Sequence, residues 1–149
     1  MEVLIDNRQN KHKIPLKKVR QQAKAILSAL DNPNGELSIL IVDDPQIAAL
    51  NKEYLKREGP TNVIAFPMHE GDFSDISPQL LGDVVISIET AYQEGKMTGI
   101  STEERFTQLI VHGILHLLGY DHERTEEEAL RMEIKSNALL KLIQQMELG

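Results

Sequence analysis

The stretch ELSILIV, Glu36-Leu37-Ser38-Ile39-Leu40-Ile41-Val42, gives the strongest indication of the fold class. It begins with alternating polar and apolar residues and ends as a continuous apolar run. A run of this length and composition predicts a β-strand that is buried on both faces or nearly so. We therefore expect a strand inside a sheet, covered by other elements.

Helix signals lie on either side of this strand. Before it, Pro15 suits the first turn of a helix whose apolar residues recur every three or four positions to about Leu30. After it, Asp43 or Asp44 stands just before Pro45 and predicts the cap of a second helix. The strand is thus expected between two helices.

The rest of the chain continues to mix helices and strands. The pattern predicts, in order, a polar loop Lys56–Asn62, a short strand Val63–Phe66, a polar loop Pro67–Leu80, a strand Gly82–Ile88, a long helix that begins at Ser101 or Thr102 and ends at Gly119, and a last helix from Thr125 to about Met146. Because the elements do not alternate strictly, we predict an α+β fold in which a small mixed sheet is packed with several helices. The length of 149 residues suits a single domain over residues 1–149.

Composition limits the class of protein. The chain has no Cys and no Trp, so disulfides and Cys-based zinc sites are excluded. Hydrophobic residues at 41% and charged residues at 26% are typical of a globular domain. We see no leader-type start and no apolar run of about 18 residues, and we therefore expect a cytoplasmic protein with no membrane partner.

Charge is distributed unevenly along the chain. The net charge is −7, which argues against a protein that coats nucleic acid by bulk attraction. The segment Arg8–Lys24 nevertheless holds seven basic residues and no acidic one, which leaves a formal charge of −14 on the remainder. This segment is either a solvated helix face or a docking surface for a phosphate backbone.

Three histidines cluster in the segment HGILHLLGYDH, residues 112–122. His112 and His116 are four residues apart, so both imidazoles leave one face of a helix. Gly119 allows a sharp turn that can bring His122 back toward that pair. Three imidazole ligands with an open fourth position are typical of a catalytic zinc ion, although other divalent transition metals also bind imidazole. We expect one metal ion, and we expect the remaining histidines, His12 and His69, not to be ligands.

The same spacing occurs in metzincin proteases, with one difference. Where those enzymes carry a Glu as general base, this chain has Gly113, which has no proton to exchange. Peptide hydrolysis would need another base, such as Glu123. Asp121 and Glu123 could instead orient the imidazoles or face solvent.

Three segments resemble the YbeY family, bacterial zinc-dependent endoribonucleases of rRNA maturation. They are His112–His122 (HGILHLLGYDH), Pro60–Pro67 (PTNVIAFP) and Leu81–Ser87 (LGDVVIS). They occur in the family's order, and the first is the most specific. The resemblance implies a four-stranded mixed sheet, zinc on His112, His116 and His122, and cleavage of single-stranded RNA in 16S rRNA 3′-end maturation and ribosome quality control. Its implied partners are rRNA and the small ribosomal subunit, not DNA.

The chain departs from the family pattern at one functional position. The resemblance implies an Arg directly after Tyr54, where this sequence has Leu55. Leu cannot hold a phosphate by paired hydrogen bonds or stabilise charge in the transition state. Arg57, as a catalytic cation, or Lys56, as a substrate-binding one, could reach the same space; both could equally be solvated loop charges.

Three functional hypotheses follow from these residues. The first is metal-assisted hydrolysis of an RNA phosphodiester by water, because an imidazole nitrogen that binds a metal has no lone pair left to deprotonate a ribose hydroxyl. The second is a ribosome-assembly factor whose metal is structural. The third is a metallopeptidase-like hydrolase. The sequence indicates no particular oligomeric state.

Overall fold

A computed structural model of the chain describes residues 3–68, 79–120 and 125–148. Over these ranges it has four strands and five helices: β1 (Val3–Asn7), α1 (Leu16–Ala29), β2 (Glu36–Val42), α2 (Asp44–Leu55), β3 (Val63–Pro67), β4 (Leu80–Ser87), α3 (Ile88–Thr98), α4 (Thr102–Leu117) and α5 (Glu126–Leu148). The strands form one sheet in the order β1-β2-β4-β3. β1, β2 and β4 are parallel, and β3 is antiparallel to β4. The predicted α+β fold with a small mixed sheet is confirmed.

Strand β2 is buried on both faces, as its sequence predicts. Leu37, Ile39 and Ile41 belong to the larger hydrophobic core, which α1, α4 and α5 share. Val42 belongs to a smaller core on the other face, where it packs with Ile47 of α2. Because successive side chains of a strand point to opposite faces, α2 covers one side of the sheet and α1, α4 and α5 cover the other.

The helix caps follow the predicted chemistry. The Asp43 carboxylate accepts a hydrogen bond from the Gln46 backbone N–H at the start of α2, at 3.0 Å. Ser101 does the same for Glu104 at the start of α4, also at 3.0 Å. Side-chain caps of this kind satisfy backbone donors that have no partner inside the helix.

The structure corrects the sequence prediction in three places. The pattern did not predict β1, which lies at the edge of the sheet, or α3, which begins directly after β4. The strand predicted at Gly82–Ile88 in fact begins at Leu80 and ends at Ser87, because Ser87 caps α3 and Ile88 is already helical. Most of the loop predicted at Pro67–Leu80 lies outside the described residues.

None of the described helices is both long and apolar enough to cross a membrane.

Candidate active site

Helix α4 carries His112 and His116 on one face. Their Nε2 atoms lie 2.9 Å apart, and the two rings meet edge to face with their centroids 4.5 Å apart. Both side chains are half-buried, whereas the neighbours Val111, Gly113 and Leu115 are fully buried. The helical spacing therefore brings two imidazoles together at an accessible surface, as the sequence predicts.

The geometry of this pair suits a shared zinc ion. At zinc–nitrogen distances of about 2.0 to 2.1 Å, two ligands of a tetrahedral site lie roughly 3.3 Å apart. The observed distance between the two Nε2 atoms is 2.9 Å. A small rotation of either side chain would bring this distance to the spacing of two zinc ligands. The third predicted ligand, His122, lies outside the described residues, and within the described ranges no group of three His, Asp or Glu side chains could hold a metal.

Gly113 explains the orientation of α4. A Cβ atom at this position would lie 2.5 Å from Val84 Cγ1 and 3.4 Å from Val63 Cγ2, so the helix backbone rests directly on β4 and β3. Position 113 therefore faces the sheet, while His112 and His116 lie on one flank of the helix, roughly 60 to 100° around its axis from residue 113. A glutamate at this position would point into the sheet instead of acting as a base beside the histidines. Asp121 and Glu123, which the sequence suggested as neighbours of the site, lie outside the described residues.

The C-terminus of α4 ends in a left-handed turn at Gly119. Its φ is +95°, which glycine adopts at little cost. The Gly119 N–H donates to the His116 carbonyl at 3.1 Å, and the Tyr120 N–H donates to the Leu115 carbonyl at 3.0 Å. This pair of bonds is a Schellman motif, which ends a helix and reverses the chain. The predicted turn after the second histidine is thus present.

Arg105 shares the histidine face of α4, although no motif in the sequence marks it. It precedes His112 by seven residues, which is two helical turns. Its Nε donates to the Glu94 carboxylate of α3 at 3.0 Å, and the same carboxylate accepts from Asn62 Nδ2 at 3.3 Å. Because Asn62 directly precedes β3, the histidine face lies on the β3 side of the molecule.

The predicted cations of the loop after α2 occupy a different position. Lys56 has the left-handed conformation (φ 56°) that ends α2, and its Nζ donates to the Glu53 carbonyl at 3.0 Å. Arg57 is exposed, and its guanidinium forms no hydrogen bond or ion pair with a residue that the structure describes. Leu55 is 41% exposed. Within the described ranges, no hydrogen bond or ion pair joins Lys56 or Arg57 to the histidines, so the roles of Arg57 and Lys56 stay predictions.

The remaining described histidine, His12, lies in a different environment. Its ring packs against Tyr92 of α3, with the centroids 5.1 Å apart. This contact agrees with a structural role for His12, while His69 lies outside the described residues.

A polar network fixes the ends of β2 and β4. The hydroxyls of Ser87 and Thr90 donate to Asp44 Oδ1 at 2.5 and 2.6 Å. Glu89 accepts from the Asp44 backbone N–H at 2.8 Å and from Lys11 Nζ at 3.0 Å. The backbone hydrogen bond, and then the lysine, lower the pKa of the Glu89 carboxyl. The network ties the first turns of α2 and α3 together.

The fold and the histidine pair together define an α+β domain that presents two potential metal ligands on one helix. The family model described as Endoribonuclease YbeY matches residues 4–144. Curated relatives named Endoribonuclease YbeY include one from Geobacter sulfurreducens, 47% identical over 97% of each chain, and one from Aquifex aeolicus, 47% identical over 89% of this chain and 87% of its own. The chain belongs to the YbeY family.

A solved structure supports the fold separately. The solution structure of a Thermotoga maritima protein aligns with a TM-score of 0.67 at 20% identity, covering 97% of this chain and 91% of that one. At this level of identity the likeness concerns the fold alone.

Proposed function

We propose that this protein is a zinc-dependent endoribonuclease that hydrolyses single-stranded RNA. The observation that carries the proposal is the pair of imidazoles on α4, whose Nε2 atoms lie 2.9 Å apart at an accessible surface of a YbeY-family fold. RNA as the substrate is supported by the name that the relatives share.

His112, His116 and His122 would hold the metal. Zinc, when bound, supplies a Lewis acid that activates water and polarises a phosphoryl oxygen. His112 and His116 then serve as ligands and not as bases, since a coordinated imidazole nitrogen has no free lone pair. Arg57 would neutralise charge that develops on the phosphate, and Lys56 would bind the RNA backbone beside it.

Metal analysis and an RNA cleavage assay test this proposal together. The purified protein should contain about one zinc ion per chain, and a chelator should abolish cleavage of a single-stranded RNA until zinc is restored. The product end tests the attacking group. Attack by water leaves no cyclic product, so a 2′,3′-cyclic phosphate would show attack by the ribose 2′-hydroxyl and overturn hydrolysis by water.

In the cell, we propose a role in 16S rRNA 3′-end maturation and ribosome quality control in the cytoplasm, with the small ribosomal subunit as partner. Cells depleted of the protein should accumulate 16S rRNA with an unprocessed 3′ end, and the wild-type protein should restore the mature end. A mature 16S 3′ end in depleted cells would contradict this role and leave the cleavage activity to be judged by the assay above.

A ribosome-assembly factor with a structural metal predicts a different result. If binding matters more than turnover, a folded His112→Ala/His116→Ala variant without metal would restore rRNA maturation in depleted cells. We expect this variant to fail in the cell and in the cleavage assay alike.

A further inference from the structure

The basic segment of the sequence forms a defined stripe on α1. Lys17, Arg20 and Lys24 are spaced by three and four residues, so they share one helix face about 10 Å long. Lys13 lies three residues before the helix begins at Leu16 and adds a fourth basic residue at its N-terminal end. Lys13, Lys17 and Arg20 are exposed, and Lys24 is half-buried. We call these four residues the α1 stripe.

The α1 stripe points away from the body of the protein. The opposite face of α1 is buried through Val19, Ala23 and Ile26. Lys18 lies on the other flank, where its Nζ contacts Glu103 of α4 at 2.5 Å and Glu147 of α5 at 3.4 Å. The acidic neighbours of α1 are therefore bound by Lys18 and not by the stripe.

The α1 stripe contributes few bonds that stabilise the fold. Lys13, Lys17 and Lys24 form no ion pair with any residue in the described ranges. Among the four, only Arg20 bonds through its side chain to a residue that the structure describes: its Nε donates to the Val3 carbonyl of β1 at 3.1 Å. Within the described ranges, the charges of Lys13, Lys17 and Lys24 are therefore not neutralised by direct pairing with a carboxylate. A polyanionic partner would neutralise these charges.

The stripe and the histidine face lie on opposite sides of the molecule. The Arg20 bond places the stripe at the β1 edge of the sheet, whereas Arg105, Glu94 and Asn62 place the histidine face on the β3 side. β1 and β3 are the two outer strands, about 14 Å apart before the flanking helices are added. A short single strand at the histidines would not reach the stripe, but a wider RNA would.

We infer that the α1 stripe binds the phosphate backbone of a folded RNA segment that flanks the single strand at the histidine face. The inference rests on the proposed function for its substrate, and it adds a second contact remote from the bond that is cut. Lysines at this spacing contact phosphates without reading bases, so the contact favours RNA structure over sequence and weakens with salt.

Binding and cleavage with two RNA probes test the inference. One probe is an RNA hairpin with a 3′ single-stranded tail, and the other is the tail alone. Affinities are measured by fluorescence anisotropy in chelator, so that no cleavage occurs, over a series of salt concentrations. The test variant is Lys13→Gln/Lys17→Gln/Lys24→Gln, and the matched control is Lys96→Gln/Lys135→Gln/Lys141→Gln, which removes the same charge from α3 and α5.

The stripe variant should bind the tailed hairpin about tenfold more weakly or worse, with a salt slope smaller by about two to three, while the control stays near wild type. Binding and zinc-supported cleavage of the tail alone should be the same for all three proteins. Unchanged hairpin affinity, an equal loss in the control, or an equal loss with the tail alone would each overturn the inference. Stripe-dependent binding to phosphatidylserine vesicles with hairpin affinity retained would also overturn it, in favour of a lipid surface.

The outcome is separate from that of the proposed function. If the wild-type protein binds the hairpin through the stripe but cleaves neither probe, the binding surface stands and the endoribonuclease proposal fails. If the wild-type protein cleaves the tail and the stripe variant binds the hairpin normally, the endoribonuclease proposal stands and the binding surface on α1 is excluded.

Discussion

Gly113 of α4 lies directly against Val84 of β4, so closely that a Cβ atom at residue 113 would come within 2.5 Å of Val84 Cγ1. This contact sets the distance between the helix and the sheet. It also sets the rotation of α4, and with it the direction in which His112 and His116 leave the helix.

We predict that Gly113→Ala destabilises the protein. Alanine in a helix is better than glycine by up to about 1 kcal/mol, but overpacking of a close contact costs about 1–3 kcal/mol, so the clash should prevail. Urea denaturation should show the variant to be less stable by about 1–2 kcal/mol. Val84→Ala removes the methyl groups that obstruct the new Cβ. The loss of stability in the double variant should therefore be smaller than the sum of the losses in the two single variants. A Gly113→Ala protein that is more stable than wild type would refute the contact.

The second prediction concerns the histidines. His112→Ala or His116→Ala should lose bound zinc and lower RNA cleavage by about a hundredfold or more, because metal-ion catalysis lowers the activation barrier by several kcal/mol. His12→Ala is the matched control, since His12 packs on Tyr92. It should retain zinc and cleavage. Metal content, circular dichroism and cleavage rates measured on the same preparations separate loss of metal from loss of fold. Full zinc content in His112→Ala would exclude this residue as a ligand.

The fold could be predicted where the sequence pattern is long and locally bounded. The bounds of β2 match the sequence pattern because seven suitable residues lie between turn signals. β1 was missed because its apolar run is only Val3-Leu4-Ile5 and Leu4 is 58% exposed. This strand depends on parallel pairing with β2, which lies about 30 residues away and leaves no local signal.

Helix α3 was missed for a related reason. Its buried positions are only Ile88, Ala91 and Gly95, of which the last two are small, while Met97 is 86% exposed. Gly95 also weakens the helical signal, although the structure requires it, because a Cβ there would lie 2.9 Å from the Ile100 carbonyl oxygen. Ser87 and Gly99 cap this helix, but its few buried residues leave no clear apolar period in the sequence.

The candidate site likewise has one part that local sequence spacing predicts and another that depends on tertiary contacts. The approach of His112 to His116 follows from helical spacing alone. The bonds that orient their helix face, from Arg105 and from Asn62 to the Glu94 carboxylate, join two helices and a loop. No spacing rule connects residues on three separate elements, so this part of the site could be found only in three dimensions.

The third prediction concerns pH. The pKa of Glu89 is lowered in the folded protein by the Asp44 backbone N–H and by Lys11. The pKa of a Glu side chain in an unfolded chain is about 4.3. The Glu89 carboxylate therefore stabilises the fold above that pH, and this contribution is lost as the pH falls through the lower folded pKa. The difference in free energy of unfolding between wild type and Glu89→Gln should shrink below pH of about 4.

Denaturation of both proteins from neutral to acidic pH checks this prediction. Glu133→Gln, on the exposed side of α5, corrects for the loss of one negative charge. A difference between wild type and Glu89→Gln that stays constant across the whole range would show that ionisation of Glu89 does not contribute.

The fourth prediction asks whether Arg57 replaces the arginine that the resemblance to the family implies at residue 55. If it does, Arg57→Ala should lower RNA cleavage by about a hundredfold, the usual effect of removing one donor that stabilises a developing charge. Leu55→Arg in the Arg57→Ala background should then restore most of the rate, because Leu55 is 41% exposed and its replacement can reach solvent and substrate. Leu55→Lys in the same background should restore less, since an ammonium lacks the paired donors of a guanidinium. Zinc content should be unchanged throughout, which separates the cation from the metal site. If Arg57→Ala cleaves RNA at the wild-type rate, Arg57 does not take the role of the missing arginine. The single variant Leu55→Arg would then show whether an arginine at residue 55 raises the cleavage rate.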